Sequence, residues 1–385
     1  MALIFRNIAI PLFLEIEPGI LKRIENVIRN NNLYFRSPLV VADPKTFEVA
    51  AESIMNAFSR VGKVDCVIIT SNSIQDVIRT RDKIHQNQSD VVIGVGGGRA
   101  IDVGKFAASE EKINFISVPT APSHDGIASP IAVIRENDHL KRYGAKMALG
   151  VIVDLEVIKH APIETIYSGF GDLISNISAI EDWIIADKMG KDKFDSFAAA
   201  LAATATQAIM NEPMSLTDLL SIDFLKRLVT GLVMSGIAMS IAGSSRPCSG
   251  AEHLISHALD QLLPTPQPHG IQVGIATIFT SALQGSSWRK LKSLYRNIGF
   301  PTMPEAGKIP NEIFLKAVEM APAMRNERFT ILNKIGKERY LEIFDKVFLN
   351  GQFKKEEKRL WSKREPQSEK REKTSISDLA DTLAI

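Results

Sequence analysis

The sequence predicts an α/β N-terminal half built on a parallel sheet, followed by an all-α C-terminal half. Three observations carry that prediction. Short runs rich in Val and Ile alternate with segments of helical period as far as Asp154. Strand signals then cease, and Ala-, Leu- and Met-rich stretches continue to about Phe348, punctuated by Pro213, Pro247, Pro264, Pro301 and Pro310. Within the first half, a run of three glycines, Gly96-Gly97-Gly98, joins a buried strand to a helix. The chain has 385 residues, 45% hydrophobic and 23% charged, which is enough for two domains with a large core.

Taken in order, the N-terminal "MALIFRNIAIPLFLEIEPG" is apolar in flavour but broken by Arg6, Pro11, Glu15 and Glu17, so it does not read as a secretory signal. Ile20 to Arg29 has helical period. "SPLVVAD", "DCVIIT", "DVVIGVG" and "INFISVP" read as strands, with a helix from Ile74 to Ile84 between the second and third. "IASPIAVI" and "LGVIVD" add further strands. The texture changes at "HAPIET", which sets the expected domains at residues 1–160 and 161–350. The longest apolar stretch, Leu228 to Gly243, falls short of the ~20 residues of a membrane-spanning helix and reads as a core helix, so no transmembrane segment is expected.

Residues 351–385 form a charged tail. Lys354 to Lys373 contains nine basic and five acidic residues, which suits a solvated helix or a disordered segment without a catalytic role. A formal charge of +2 gives no reason to expect a nucleic-acid partner. The two cysteines, Cys66 and Cys248, do not make a disulfide framework and suit a reducing cytoplasm. The apolar helical half is expected to support homo-oligomer formation.

The glycine run is the most informative stretch of the first half. Glycines at the end of a strand let the backbone approach a ligand, and the helix that follows offers free N–H groups, so the pattern suits a phosphate; a tight turn is the plainer reading. The run departs from the dinucleotide fingerprint G-x-G-x-x-G, because counting from Gly94 and Gly96 puts Arg99 at the third glycine. No G-K-[ST] follows, so it is not a P-loop either. Asp102 and Lys105 lie one turn apart and either pair with each other or face the ligand. After "FISVP", the residues Thr120, Ser123, His124, Asp125 and Ser129 lie on a loop at the carboxyl end of a parallel strand, where open α/β sheets bind ligands.

In the second half, "SGAEHLISHALDQLLPTPQPHG" places His253 and His257 one turn apart on a helix and His269 beyond a proline-rich turn. Imidazoles so arranged suit a metal site, or equally a hydrogen-bonded core. A third ligand would be a carboxylate. Asp172 in "YSGFGDLISN" is available, but on spacing alone it reads as an N-cap that follows Gly171 and precedes an apolar helix.

Six blocks in order, "GVGGGRAIDVGK", "SVPTAPSHDGIASP", "GFGDLISN", "AGSSRPCSGAEHLISHALD", "PHGIQVG" and "MRNERFTIL", resemble the iron-containing alcohol dehydrogenase superfamily. Within it, they look most like the sn-glycerol-1-phosphate dehydrogenases of archaeal lipid synthesis. The resemblance runs from about Ile20 to Leu349. It implies a Rossmann-like N-terminal domain and a helical C-terminal domain, the dehydroquinate synthase-like fold.

It further implies that Asp172, His253 and His269 ligate one metal ion per subunit. Some iron-dependent relatives carry a histidine four residues after the aspartate; Asn176 stands there, which favours zinc. The resemblance implies NAD or NADP in the cleft between the domains, with Gly96, Gly97 and Gly98 near the pyrophosphate and Asp102 among the cofactor-binding residues. Thr120 and Ser129 fall on the nicotinamide side, and Asp43 and Ser71 on the adenosine side. The implied substrate is dihydroxyacetone phosphate, reduced to sn-glycerol 1-phosphate, with Arg246, His124 and Asp125 as its partners and Asp125 or His257 as proton donor; Arg246 reads equally as a structural arginine that binds loop carbonyls. Glycerol dehydrogenase, which acts on an unphosphorylated polyol, is the nearest alternative. A 3-dehydroquinate synthase-like lyase fits less well, because no Gly-Gly-Lys follows Asp125 and the metal carboxylate there is a glutamate.

Overall fold

The computed structural model describes residues 8–59, 63–137, 139–211 and 215–351. The charged tail lies outside them, apart from Gly351, as do the first seven residues. The sheet has six strands, β1 (Phe13–Glu17), β2 (Pro38–Ala42), β3 (Asp65–Ile68), β4 (Val91–Gly96), β5 (Asn114–Pro119) and β8 (Gly150–Asp154), in the order β1-β8-β5-β4-β2-β3. Every pairing is parallel. The two central strands, β4 and β5, therefore end side by side, Gly96 opposite Pro119. Their alternation divides the core: Val92 faces one apolar cluster, while Val91, Ile93 and Val95 face another. Each such side chain contributes about 1.5–3 kcal/mol on burial.

Two elements depart from the sequence reading. The broken N-terminal stretch supplies β1, an edge strand parallel to β8. An edge accepts Glu15 and Glu17 with one side in water, and Pro11 lies just before the strand, so those breakers do not exclude it. The strand at "IASPIAVI" does not join the sheet. It forms β6 (Ile131–Glu136), which pairs antiparallel with β7 (His139–Gly144) as a separate hairpin.

After β8 the chain is helical. The main helices are Ile163–Lys188, Ser196–Met210, Ile222–Ala242, Ala251–Leu262, His269–Leu283 and Asn311–Met324. Ile222–Ala242 is long and apolar enough to cross a membrane by length and composition, and 67% of its most apolar window is buried within the protein. Helix Ile163–Lys188 crosses His269–Leu283 at very close range. A Cβ on Gly171 would stand 2.1 Å from the Gly270 carbonyl oxygen, and one on Gly270 would stand 1.7 Å from the Ser168 oxygen.

That crossing corrects the capping expectation for Asp172. The helix begins at Ile163, more than two turns earlier, and Asp172 is an interior residue of it. Gly169 and Gly171 are packing glycines, not a break: a Cβ on Gly169 would meet the Pro122 oxygen at 1.7 Å. Sequence spacing cannot separate these two uses of glycine.

Candidate metal centre

The close crossing places Asp172 beside the two histidine-bearing elements. Asp172 Oδ1 lies 3.4 Å from His253 Nε2 and 3.8 Å from His269 Nε2, and the three ligand atoms all lie within 4.8 Å of one another. The other ring nitrogens are held from behind. His253 Nδ1 is 3.0 Å from Glu252 Oε1, and His269 Nδ1 is 3.1 Å from Ser256 Oγ. Both imidazoles thus present Nε2 to one point, with their rings fixed by outer partners, as ligating histidines generally are. Asp172 Oδ2 accepts from the Asp125 N–H at 2.8 Å and fixes the carboxylate in turn. The donor set, two imidazole nitrogens and one carboxylate, fits a divalent transition metal with an open coordination position. Asn176 takes no part. It is fully buried and donates to Ser235 Oγ at 2.9 Å and Ala202 O at 3.3 Å.

Charge in this group is uneven. Burial alone would lower His253, but the carboxylates of Asp172 and Glu252 outweigh it and raise it to about 9. For His269, burial and the His253 charge together push it down to about 3. Burial, reinforced by the Asp172 charge, pushes the Asp125 carboxyl well above the usual range. The Asp172 carboxyl is lowered: burial opposes ionisation, but the hydrogen bond to His253 and the charge of that ring prevail.

A cleft of about 450 Å³ joins this centre to the sheet. It is lined by His253, His257 and His269 on one side and by Gly98, Arg99, Asp102, His124, Asp125 and Ser129 on the other. The glycine turn is built as the sequence suggested. Gly96 has φ +150°, where a Cβ would meet Ala100 Cβ at 2.9 Å, and a Cβ on Gly97 would meet nothing within 4 Å. Gly98 opens helix Gly98–Glu110, and a Cβ there would stand 2.3 Å from His124 Nε2. Open space in front of Gly97 at a helix N-terminus fits a pyrophosphate. Thr120 donates its backbone N–H to Gly96 O at 3.0 Å, which ties the two central strand ends together. Asp43, after β2, caps the short helix Pro44–Thr46, with Oδ2 4.0 Å from an Arg99 nitrogen. Ser71 donates to Asp76 Oδ2 at 2.8 Å.

Two expected site residues are placed differently. Arg246 does not enter this cleft. Its Nε pairs with Asp192 and its Nη1 donates to Phe329 O at 2.8 Å, because the turn at Ser244 to Cys248 directs it into a second cavity with Arg325 and Arg328. Asp102 lines the cleft, but both of its oxygens are engaged. Oδ1 is 3.3 Å from Lys105 Nζ, and Oδ2 accepts from the Val133 N–H at 3.0 Å. Lys105 is buried and also donates to Gly126 O and Ile131 O, each at 2.7 Å. Asp102 and Lys105 therefore brace the wall that carries Asp125 and the hairpin.

Sequence reading did not find Glu252, Ser256, Asp182 or Arg142. Glu252 and Ser256 share the ligand helix, at one and three residues from His253, so the spacing was legible even though their role was not. Behind Glu252 lies Asp182, buried, accepting from the Ala251 and Ile331 N–H groups at 2.7 and 2.8 Å. Burial, with the Glu252 charge, pushes Asp182 up to about 7. The unfolded value is about 3.9, so between there and 7 the folded chain binds the extra proton. Stability from this group is full at acid pH and is lost as pH rises through 7. The unfolding free energy of the native chain minus that of Asp182→Ala, followed by urea denaturation, should fall from pH 5 to 7 and level off above.

Residues 15–162 match the family model for iron-containing alcohol dehydrogenases. A glycerol-1-phosphate dehydrogenase [NAD(P)+] of Pyrococcus abyssi is 41% identical over 83% of this chain and 91% of its own length. One of Methanothermobacter thermautotrophicus is 38% identical over 86% of this chain and 94% of its own. Among solved structures, glycerol dehydrogenase from Schizosaccharomyces pombe superposes with a TM-score of 0.74 at 20% identity, covering 94% of both chains. That last likeness speaks for the fold alone. At 35–41% identity over most of the chain, the curated relatives decide the family: the chain belongs to the glycerol-1-phosphate dehydrogenases, within the iron-containing alcohol dehydrogenase fold.

Proposed function

We propose that this chain reduces the ketone of dihydroxyacetone phosphate to sn-glycerol 1-phosphate with NADH or NADPH, supplying the glycerol backbone of archaeal-type ether phospholipids. The observation that carries the reading is the convergence of Asp172, His253 and His269 on one point, facing the glycine turn across a single cleft. The names of the relatives supply the substrate. Zinc is the proposed ion, because Asn176 is turned into the core and leaves three nitrogen and oxygen ligands with an open position.

Bound at these residues, a divalent ion supplies a Lewis acid for the ketone oxygen, and the nicotinamide supplies the hydride. The chain's own residues orient and exclude. Gly96, Gly97 and Gly98 admit the pyrophosphate to the N-terminus of helix Gly98–Glu110. Asp43 and Ser71, at the ends of β2 and β3, receive the adenosine half, while Thr120 and Ser129 line the nicotinamide side. His257 accepts at Nε2 from Arg142, so it carries its proton on Nδ1. Asp125 and His257 both line the cleft, and one of them hands a proton to the product oxygen.

A spectrophotometric assay on zinc-reconstituted protein tests this, comparing dihydroxyacetone phosphate with dihydroxyacetone and resolving the hand of the product. Preference for the phosphorylated ketone is expected. His253→Ala should lose roughly a thousandfold in turnover, the several kcal/mol a Lewis acid contributes. Equal turnover of dihydroxyacetone would move the chain to polyol oxidoreduction.

A further inference from the structure

A substrate phosphate is held by cationic or N–H partners, and Arg246 is occupied elsewhere. The arginines that line the cleft are Arg99 and Arg142. Arg99 stands at the glycine turn beside Asp43. Arg142 stands at the metal end, on β7, opposite Val133 of β6.

The hairpin is firmly held at that level. The Val133 N–H donates to Asp102, the Val133 carbonyl accepts from Asn72 Nδ2 at 2.9 Å, and the Tyr143 ring stacks on Phe106 with centroids 4.6 Å apart. From this base the Arg142 guanidinium reaches across to the ligand helix and meets His257 Nε2. Among the described residues no carboxylate forms an ion pair with it, and Asp260 acts on it only through space. Partial loss of solvent in the cleft, together with the positive charge of Arg325 acting through space, lowers Arg142 to about 10. An arginine that lines a cleft and, among the described residues, forms no ion pair is arranged to receive an anion.

Its partner stands beside the metal centre. The His257 ring lies 6.4 Å from that of His253 and 6.3 Å from that of His269, and His257 Nε2 meets Arg142. In a three-carbon ketose phosphate, one methylene and one ester oxygen separate ketone from phosphorus, so with the ketone at the centre the phosphate falls near the His257 end. We infer that Arg142, with His257 beside it, forms the subsite for the substrate's phosphate monoester and sets the preference for phosphorylated over free ketone. The inference rests on the proposed function and adds the residue that reads the phosphate.

The test uses the zinc-loaded full chain, with Arg142→Ala, Arg142→Gln and Arg142→Lys compared at equal zinc content and after confirming native circular dichroism. The quantity read is the ratio of kcat/KM for dihydroxyacetone phosphate over that for dihydroxyacetone, together with the inhibition constant of inorganic phosphate. Harm done to His257 as a proton donor falls on both ketones and cancels in the ratio. The expected result is a ratio lowered roughly ten- to a hundredfold in the Ala and Gln variants, the worth of hydrogen bonds to a charged group. Inhibition by phosphate should weaken in parallel, and Lys should restore part of both. A ratio unchanged in all three variants, whether or not both rates fall together, overturns the assignment and leaves Arg142 as a positioning residue for His257. If the native chain itself shows no preference for the phosphorylated ketone, the proposed function fails. Arg142 is then judged on phosphate inhibition alone, and a constant equal in native and Ala chains overturns it.

Discussion

Asp172→Asn is expected to empty the metal centre while leaving the fold in place. The substitution keeps the shape of a fully packed side chain and one oxygen that can still accept from the Asp125 N–H. It removes the negative charge on which His253 Nε2 and His269 Nε2 converge. Losing an outer partner of a ligand commonly costs about 10- to 100-fold in metal affinity or activity, and losing the only carboxylate ligand should cost more. Zinc measured after dialysis against a weak chelator should fall from near one per chain to a small fraction, and turnover should fall with it. The unfolding midpoint of the metal-free chain should shift by only a few degrees. Zinc retained at native stoichiometry would refute Asp172 as a ligand.

Gly171→Ala should damage both stability and the site. Alanine in a helix interior is ordinarily favoured over glycine by about 1 kcal/mol. Here the added Cβ would stand 2.1 Å from the Gly270 oxygen and 2.9 Å from Phe300 Cζ. The first of these contacts is backbone and cannot rotate away. Overpacking of this kind costs about 1–3 kcal/mol and occasionally more, so the variant should be destabilised where propensity predicts a gain. Because Gly270 follows His269 directly, separating the helices also draws His269 from Asp172, and zinc affinity should fall alongside the unfolding free energy. Gly144→Ala, whose Cβ would meet nothing within 4 Å, is the matched control and should change neither. A Gly171→Ala chain as stable as the native one would mean that the two helices are not in contact through these glycines.

The sequence by itself determined the sheet, the helical half, the glycine turn and the histidine-bearing helix. Each rests on a local rule. Strands buried on both faces read as unbroken Val and Ile runs, and a ligand-approaching turn demands glycine, as Gly96 shows with its φ of +150°. Histidines one turn apart share a helix face. The resemblance picked His253 and His269 as candidate ligands and added Asp172 to them, against a local pattern that favoured a cap.

What only the tertiary structure decided were matters of approach between distant segments. Whether "GFGD" begins a helix or lets two helices touch depends on a partner about a hundred residues away, since Gly171 meets Gly270. Whether Asp102 faces a ligand or braces a wall depends on Lys105 and on Val133, which lies in a hairpin that no local signal detached from the sheet. Arg246 looked like the cation of the site because it precedes the ligand helix, yet its turn sends it to Asp192. Arg142 carried no signal in the sequence, and the hairpin brings it to His257. Local periodicity encodes which faces are buried. The direction in which a charged side chain leaves the backbone, and what it finds there, is set by the packing of elements that sequence spacing does not relate.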